Sequence, residues 1–361
     1  MPQHIVVSNC IFSHEHKQHL RSRVAQSVAT QTIVNWLDAI VPLRSDSQRP
    51  HESTTRTKVV LLGTGTPIPD PDRSGPATAV VVGDRAYLID FGPGVVRRAE
   101  AAALKREIPA VEPGNLKVAF VTHLHSDHTA GYSDLIFGGW TSGRTVPLEV
   151  YGPTGLQSMT EHILAAYRVD IETRTNPDGN QRRFPDGWKV NAHEIKSGVI
   201  YKDEKVTVTA FTTKHAMESY GYRFETPDRT IVISGDTNPV EETIKACNGC
   251  DVLIHEAQPL ELLAKMPESM RSFDEKYHTT TEQLADLATK AKPKLLVIYH
   301  TVSCSHRGLH LPDSYDPVAG TGSTLRLRCS RKRSPRDTQV NSQSEGTSMC
   351  TEIPSRTLHP N

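Results

Sequence analysis

The stretch "VAFVTHLHSDHTAGYSDL", residues 118–135, constrains this chain more than any other segment. Val118, Ala119, Phe120 and Val121 make a short apolar run, the pattern of a fully buried strand. His123, His125, Asp127 and His128 follow at once. Alternate side chains of an extended backbone share a face, so His123 and His125 can aim together at one cation. Asp127 and His128 come as the chain turns and can aim at a second cation beside it. The "TAGYSDL" that follows reads as a helix start that stiffens the loop. Zinc accepts imidazole nitrogen and carboxylate oxygen at roughly 2.0–2.2 Å. One loop cannot fill two coordination spheres, so further ligands must come from elsewhere in the chain.

Where to look follows from the rest of the pattern. "KVVLLGTG", "ATAVVVGD", "RAYLIDFG", "NLKVAFVTH", "TVPLEVYG", "KVTVTAFTTKH", "YGYRFETPDRTIVISGDT", "CDVLIHEA" and "PKLLVIYH" read as strands punctuated by glycine and proline. "TGLQSMTEHILAAY" predicts a helix with Leu156, Met159, Ile163 and Ala166 on one face. "TTEQLADLATKA" predicts another, with Leu284, Leu287, Ala288 and Ala291 on one face and a capping box from Thr280 to Gln283. Clusters of strands with a few helices between them suggest two packed sheets with helices outside. In a site built on sheets, ligands stand where apolar strands run out. Three strands end on a ligand-type side chain: His215, Asp236 and His300. With the first cluster they make seven, enough for two ions joined by a shared carboxylate.

Composition narrows the class. The chain has 361 residues, 37% of them hydrophobic, enough for one large or two modest domains. No apolar run is long enough to span a membrane. Lys plus Arg and Asp plus Glu both total 41, so no global basic field draws the chain to nucleic acid; only a local patch can. The six cysteines are scattered and do not form a disulfide framework; Cys247 and Cys250 in "CNGC" read as a turn with two ordinary thiols. Residues 57–302 read as one globular domain. Residues 1–56 are expected to be a poorly ordered extension, and 303–361, with "RLRCSRKRSPR", a disordered Ser/Arg-rich tail. No signal-peptide pattern is evident at the start, which favours the cytoplasm. "RTNPDGNQRRFPDGW", with Arg182 and Arg183, reads as a lid or short substrate loop between strands.

"THLHSDHTAG", "TKHAMESYGYRF", "VISGDT" and "LVIYH", in this order, resemble the motifs of the metallo-β-lactamase superfamily. "LIDFGPG", centred on Asp90, resembles its first motif. "VLIHEA" and "YHTTTEQLADLATKAKPKLLVIYH" resemble the loops flanking the active site of its ribonuclease Z-like branch, which also holds arylsulfatase-like members. The resemblance covers residues 57–302. It implies an α+β fold, a four-layer αββα sandwich with metals at the edge of the two sheets. Carried over by position, it implies that His123, His125 and His215 hold one zinc, that Asp127, His128 and His300 hold the other, and that Asp236 bridges them. Asp90 would orient a ligand histidine from behind. Two Zn2+ per chain are expected, with Mn2+ or Fe2+ as alternatives. Two ions roughly 3.5–4 Å apart can share a hydroxide, the nucleophile such a site implies. Glu256 and His278 resemble the branch's proton-handling pair and, with Asp127, make up the expected catalytic set.

The resemblance thus implies a dinuclear zinc hydrolase of phosphodiesters or related esters. Its partner would be an RNA or a small-molecule ester; no membrane is implied, and a homodimer is open to it. One departure stands out. "TPIPDPDRSGPATAV" occupies the place where ribonuclease Z usually carries a Lys–Arg–Asn stretch, and looks more like the arylsulfatase-like members. Hydrolysis of small anionic aryl esters is therefore the first alternative. A non-catalytic, metal-stabilised binding protein is the second.

Overall fold

The computed structural model describes residues 4–7, 56–264, 266–301, 314–318 and 326–330. Two mixed sheets carry the molecule. The first contains β2 (Lys58–Gly63), β3 (Ala77–Val82), β4 (Arg85–Ile89), β5 (Val118–Phe120), β6 (Leu148–Gly152) and β7 (Val190–Glu194), paired in that order. The second runs β1 (His4–Val7), β13 (Leu295–Tyr299), β12 (Val252–Glu256), β11 (Thr230–Ile233), β10 (Tyr220–Glu225), β9 (Thr207–Thr212) and β8 (Gly198–Lys202). A separate antiparallel ribbon joins Ser314–Val318 to Arg326–Ser330. The remainder of the N-terminal extension and of the tail lies outside the described residues.

Alternation of side chains along each strand sorts the core into layers. On β4, Tyr87 and Ile89 face the second sheet while Ala86 and Leu88 face outward. On β13, Val297 and Tyr299 face the first sheet while Leu296 and Ile298 face outward. The outward face of the first sheet is covered by α1 (Val95–Arg106), α3 (Tyr132–Thr141), α4 (Leu156–Ala166) and α5 (Arg168–Thr175). That of the second is covered by α6 (Glu241–Cys247) and α9 (Thr281–Ala291). The order is helix, sheet, sheet, helix, the expected αββα sandwich. The Thr280–Gln283 capping box opens α9, and its four expected core residues are all buried. In α4, Leu156, Met159 and Ile163 pack inward as expected, but Ala166 is exposed at the last turn.

The direction of pairing is what matters for a site. β4 pairs parallel with β5, and β11, β12 and β13 pair parallel with one another. Their carboxyl ends therefore emerge at common edges.

At the other end, buried side chains tie the loops of the first sheet to its covering helix α3. Arg144 is fully buried and donates to the carbonyls of Leu116, Leu135, Ile136 and Gly187. This corrects the reading of residues 174–188 as a lid between strands. The segment begins in the last turn of α5, and its Gly187 is tied by Arg144 beside Leu116, near the start of β5, opposite the histidine end. Phe184 also accepts the Trp140 indole N–H through its carbonyl, 2.9 Å away. The thiol reading of "CNGC" is corrected too: Cys247 and Cys250 are joined by a disulfide. Asn248 and Gly249 both take positive φ, 35° and 83°, and this tight turn brings the two cysteine Cα atoms to 4.7 Å, within disulfide reach.

Asp203, between β8 and β9, clamps the two sheets together. Its Oδ2 accepts from the Tyr87 hydroxyl of the first sheet at 2.7 Å and the Tyr201 hydroxyl of the second at 3.0 Å. Oδ1 accepts the N–H groups of Lys205 and Val206 at 2.8 and 2.9 Å. Burial opposes its charge, but these donors prevail and hold the carboxyl down to about 2. A depressed folded value stabilises above the unfolded value near 4 and is lost as pH falls through about 2. Asp203→Asn is expected to cost roughly 2 kcal/mol at pH 7, since each tenfold change in acidity is worth about 1.4 kcal/mol. The cost should shrink between pH 4 and pH 2, read by urea unfolding at both ends; a deficit independent of pH would contradict the clamp.

Candidate metal centre

Each donor stands at a strand exit. β4 leads into Asp90 and β5 into Thr122 and His123; a single helical turn, α2 (Ser126–Thr129), then carries Asp127 and His128. β9 leads to His215, β11 to Asp236, β12 to Glu256 and β13 to His300. α8 (Glu268–Tyr277) delivers His278 at its C-terminal cap. The ten residues read from the sequence as metal-holding, orienting or proton-handling meet at one edge of the sandwich.

The donor atoms form two groups. His123 Nε2 lies 3.0 Å from His125 Nδ1, which lies 3.1 Å from His215 Nε2. Asp127 Oδ2 lies 3.5 Å from His128 Nε2 and 3.1 Å from His300 Nε2. Asp236 reaches both, 3.9 Å from His123 Nε2, 3.3 Å from His128 Nε2 and 3.4 Å from His300 Nε2. Donors roughly 3.3 Å apart are what a tetrahedral ion with bonds of about 2.0–2.1 Å requires. Either triad, His123–His125–His215 or Asp127–His128–His300, has its donor atoms close enough to hold one ion.

Hydrogen bonds behind the site fix which nitrogens face it. The His128 Nδ1–H donates to Asp90 Oδ2 at 2.9 Å, and the His215 Nδ1–H to the Tyr277 carbonyl at 3.1 Å. Thr122 gives its hydroxyl proton to Asp90 at 3.0 Å, so its oxygen accepts the His123 Nδ1–H, also at 3.0 Å. The Nε2 lone pairs of all three rings therefore point inward. His125 Nδ1 faces two of these lone pairs, those of His123 and His215, and one proton there can answer only one of them, whereas a cation among the three answers all. His128 Nε2 and Asp236 Oδ1 are buried and make no hydrogen bond. This donor set fits divalent cations.

Electrostatics agree. Burial pulls His123 well below the ordinary imidazole range, lowers His125 and takes His215 to about 4, so these rings stay neutral. Burial resists ionising Asp236, yet His300 and His128 hold it far below the carboxylate range. Burial likewise opposes charge on His128, but Asp236 and Asp90 override it and raise its value; a proton there takes a cation's place.

Beside the centre, the His278 Nδ1–H donates to the fully buried Glu256 carboxylate, 2.8 Å from Oε2 and 3.0 Å from Oε1. Burial works against charge on His278, but the Glu256 charge and hydrogen bond outweigh it and push the ring up to about 10. The same pairing is anchored by the Thr237 N–H, which donates to Glu256 Oε1 at 2.5 Å. Strand alternation sends the neighbouring His255 the other way: it is buried, and its Nδ1–H donates to the Glu256 carbonyl. Sequence reasoning missed Thr122, the hydroxyl that links Asp90 to His123. Its only signal is its place directly before the first histidine.

Comparison with known proteins places this geometry. A β-lactamase superfamily domain model matches residues 85–301. Ribonuclease Z of Mycobacterium bovis is 32% identical over 250 residues, covering 68% of this chain and 86% of that protein. Ribonuclease Z of a Mycobacterium species, strain KMS, is 34% identical over 247 residues, covering 67% and 83%. The chain belongs to the metallo-β-lactamase superfamily, in its ribonuclease Z-like branch. The structure of human tRNase Z, short form, superposes with a TM-score of 0.53 at 25% identity, covering 68% of this chain and 92% of that one. A metallo-β-lactamase fold protein of Bacillus subtilis gives 0.51 at 19% identity, covering 71% and 89%. Like its ribonuclease Z relatives, this branch member is a metal-dependent hydrolase, which sets aside the non-catalytic alternative. Among the described residues no helix is long and apolar enough to cross a membrane.

Asp90→Asn tests this arrangement of protons. An amide can accept the Thr122 N–H but turns its NH2 toward His128 Nδ1, forcing a proton onto Nε2. Metal affinity is expected to fall about 10- to 100-fold, with the far-ultraviolet circular dichroism retained. Competition against a chromogenic chelator measures it, and unchanged affinity would contradict the role.

Proposed function

We propose that this protein is a dinuclear zinc phosphodiesterase that cleaves RNA. The observation that carries the proposal is the Glu256–His278 pair set beside two donor triads that share Asp236. The ribonuclease Z relatives support phosphodiesters over sulfate esters as the substrate class. In this reading His123, His125 and His215 hold one ion, Asp127, His128 and His300 the other, and Asp236 both. Bound there, the cations would polarise the phosphodiester and bring the ionisation of a water near neutral pH.

The remaining work belongs to the chain. Asp90, directly and through Thr122, keeps His128 and His123 in the tautomer that leaves Nε2 unprotonated. Glu256 holds the His278 Nδ1 proton and stabilises the imidazolium, so that Nε2–H can be given to the leaving oxygen as its bond to phosphorus breaks. Glu256 itself is buried, and burial raises its carboxyl, so ionisation there depends on its partner staying charged. Positive ions beside the pair would bring His278 down from its high value toward the pH at which it can release a proton.

His278→Ala is expected to keep metal bound and slow cleavage about 100-fold or more on an RNA, whose leaving alkoxide is a poor leaving group. On bis(p-nitrophenyl) phosphate the loss should be much smaller, because nitrophenolate needs no proton. An equal loss on both would remove His278 as the acid. Parallel replacement of His128 or Asp236 by Ala should lower metal content and activity together.

A further inference from the structure

α8 is amphipathic, yet none of its residues is buried. Met270, Phe273 and Tyr277 fall at i, i+3 and i+7, one stripe of the helix. Met270 is 50% exposed and Phe273 41% exposed, so this stripe covers no core. It runs instead into the metal centre. The Phe273 ring lies 4.9 Å from that of Tyr277 and 6.1 Å from that of His278. Tyr277 lies 6.0 Å from the ring of His215, whose Nδ1–H its carbonyl accepts. Met217, two residues beyond His215, is exposed as well. The Lys276 ammonium stands 4.8 Å from the centre of the Tyr277 ring, bringing positive charge to the same surface.

We propose that Phe273, backed by Tyr277, is a stacking shelf for the nucleobase on the nucleotide that carries the leaving oxygen. The inference rests on the phosphodiesterase reading above. His278 is the proton donor to that oxygen, so whatever lies against the neighbouring Phe273 belongs to the leaving side of the scissile phosphate. A planar π face is common to all four bases, so the shelf binds without reading sequence. Lys276 supplies the charge that a polyanionic strand needs and that the neutral chain lacks overall. Phe273 is a substrate-binding residue here, acting on binding rather than on the bond broken.

The test compares two short RNAs, identical except that one has an abasic ribose on the leaving side of its single cleavable linkage. The zinc-loaded wild type and Phe273→Ala are assayed on both, and oligomeric state is read by light scattering. On the intact RNA, Phe273→Ala is expected to raise KM about 5- to 100-fold with kcat nearly unchanged, the range base–aromatic stacking gives. On the abasic RNA the two proteins should match, and Phe273→Trp should restore the intact substrate. An equal loss on both RNAs would make the ring a support for His278 and overturn the shelf. A change of oligomeric state with cleavage unaltered would make the stripe a contact between copies and overturn it too. Wild-type protein inert on both RNAs sinks the RNA reading itself; wild type active with Phe273→Ala unaffected sinks the shelf alone.

Discussion

Parallel pairing is the constraint on which the rest of this structure depends. Parallel strands end at the same side of their sheet, so β4 and β5 deliver Asp90 and His123 together, and β11, β12 and β13 deliver Asp236, Glu256 and His300 together. Sandwich packing then faces the two edges toward each other, and His300 of the second sheet comes within 3.1 Å of Asp127 beyond the first. Residues 173 positions apart become neighbours through strand direction and sandwich packing together. Ligands at the carboxyl ends of parallel strands follow from geometry, since rigid strands stop there and loops must begin.

This explains how much could be read in advance. Buried strands announce themselves as runs of Val, Ile, Leu and Phe, and a His or Asp directly after one is visible by inspection. The ten residues that meet at this edge were legible on that basis or through the family motifs. What escaped notice has a physical reason. β7 and β8 are only half buried, and β8 pairs with β9 through an irregular register between Val199 and Tyr201, so neither shows clean alternation. α1 buries mainly alanines, whose weak apolar signal is masked by its lysine and arginines. α8 buries nothing, so no core-facing pattern exists to be found. The disulfide depends on two consecutive left-handed residues, a backbone choice that "CNGC" permits without dictating. Arg144 stayed hidden because a single arginine in a sequence carries no sign of burial.

Charge accounts for why such a cluster is folded at all. Asp90, Asp127 and Asp236 lie within one buried region, with Glu256 close by. Buried carboxylates are costly unless paired. The imidazoles answer part of that demand through hydrogen bonds, and His128 and His278 answer more by holding protons. Yet a single proton on His125 Nδ1 can answer only one of the two lone pairs that face it, those of His123 Nε2 and His215 Nε2. Divalent charge resolves both problems at once, which couples metal affinity to stability in this domain.

The exits themselves bear backbone strain that points the same way. Asp90 and His300, the residues after β4 and β13, sit at φ 59° and 50°, a left-handed region that costs a side chain of order 1 kcal/mol or more. Gly235, between β11 and Asp236, takes φ 63°, where an added Cβ would also lie 2.8 Å from Thr122 Cβ. A strand that continued in extended form would send these side chains alternately to the two faces of its sheet. The left-handed turn instead folds each over its own strand end, toward the shared edge. Hydrogen bonds then hold two of the three in place: Thr122 and His128 on Asp90, and Gln258 on the His300 carbonyl. The strain is therefore the cost of convergence, and the donors that converge are what give it a use.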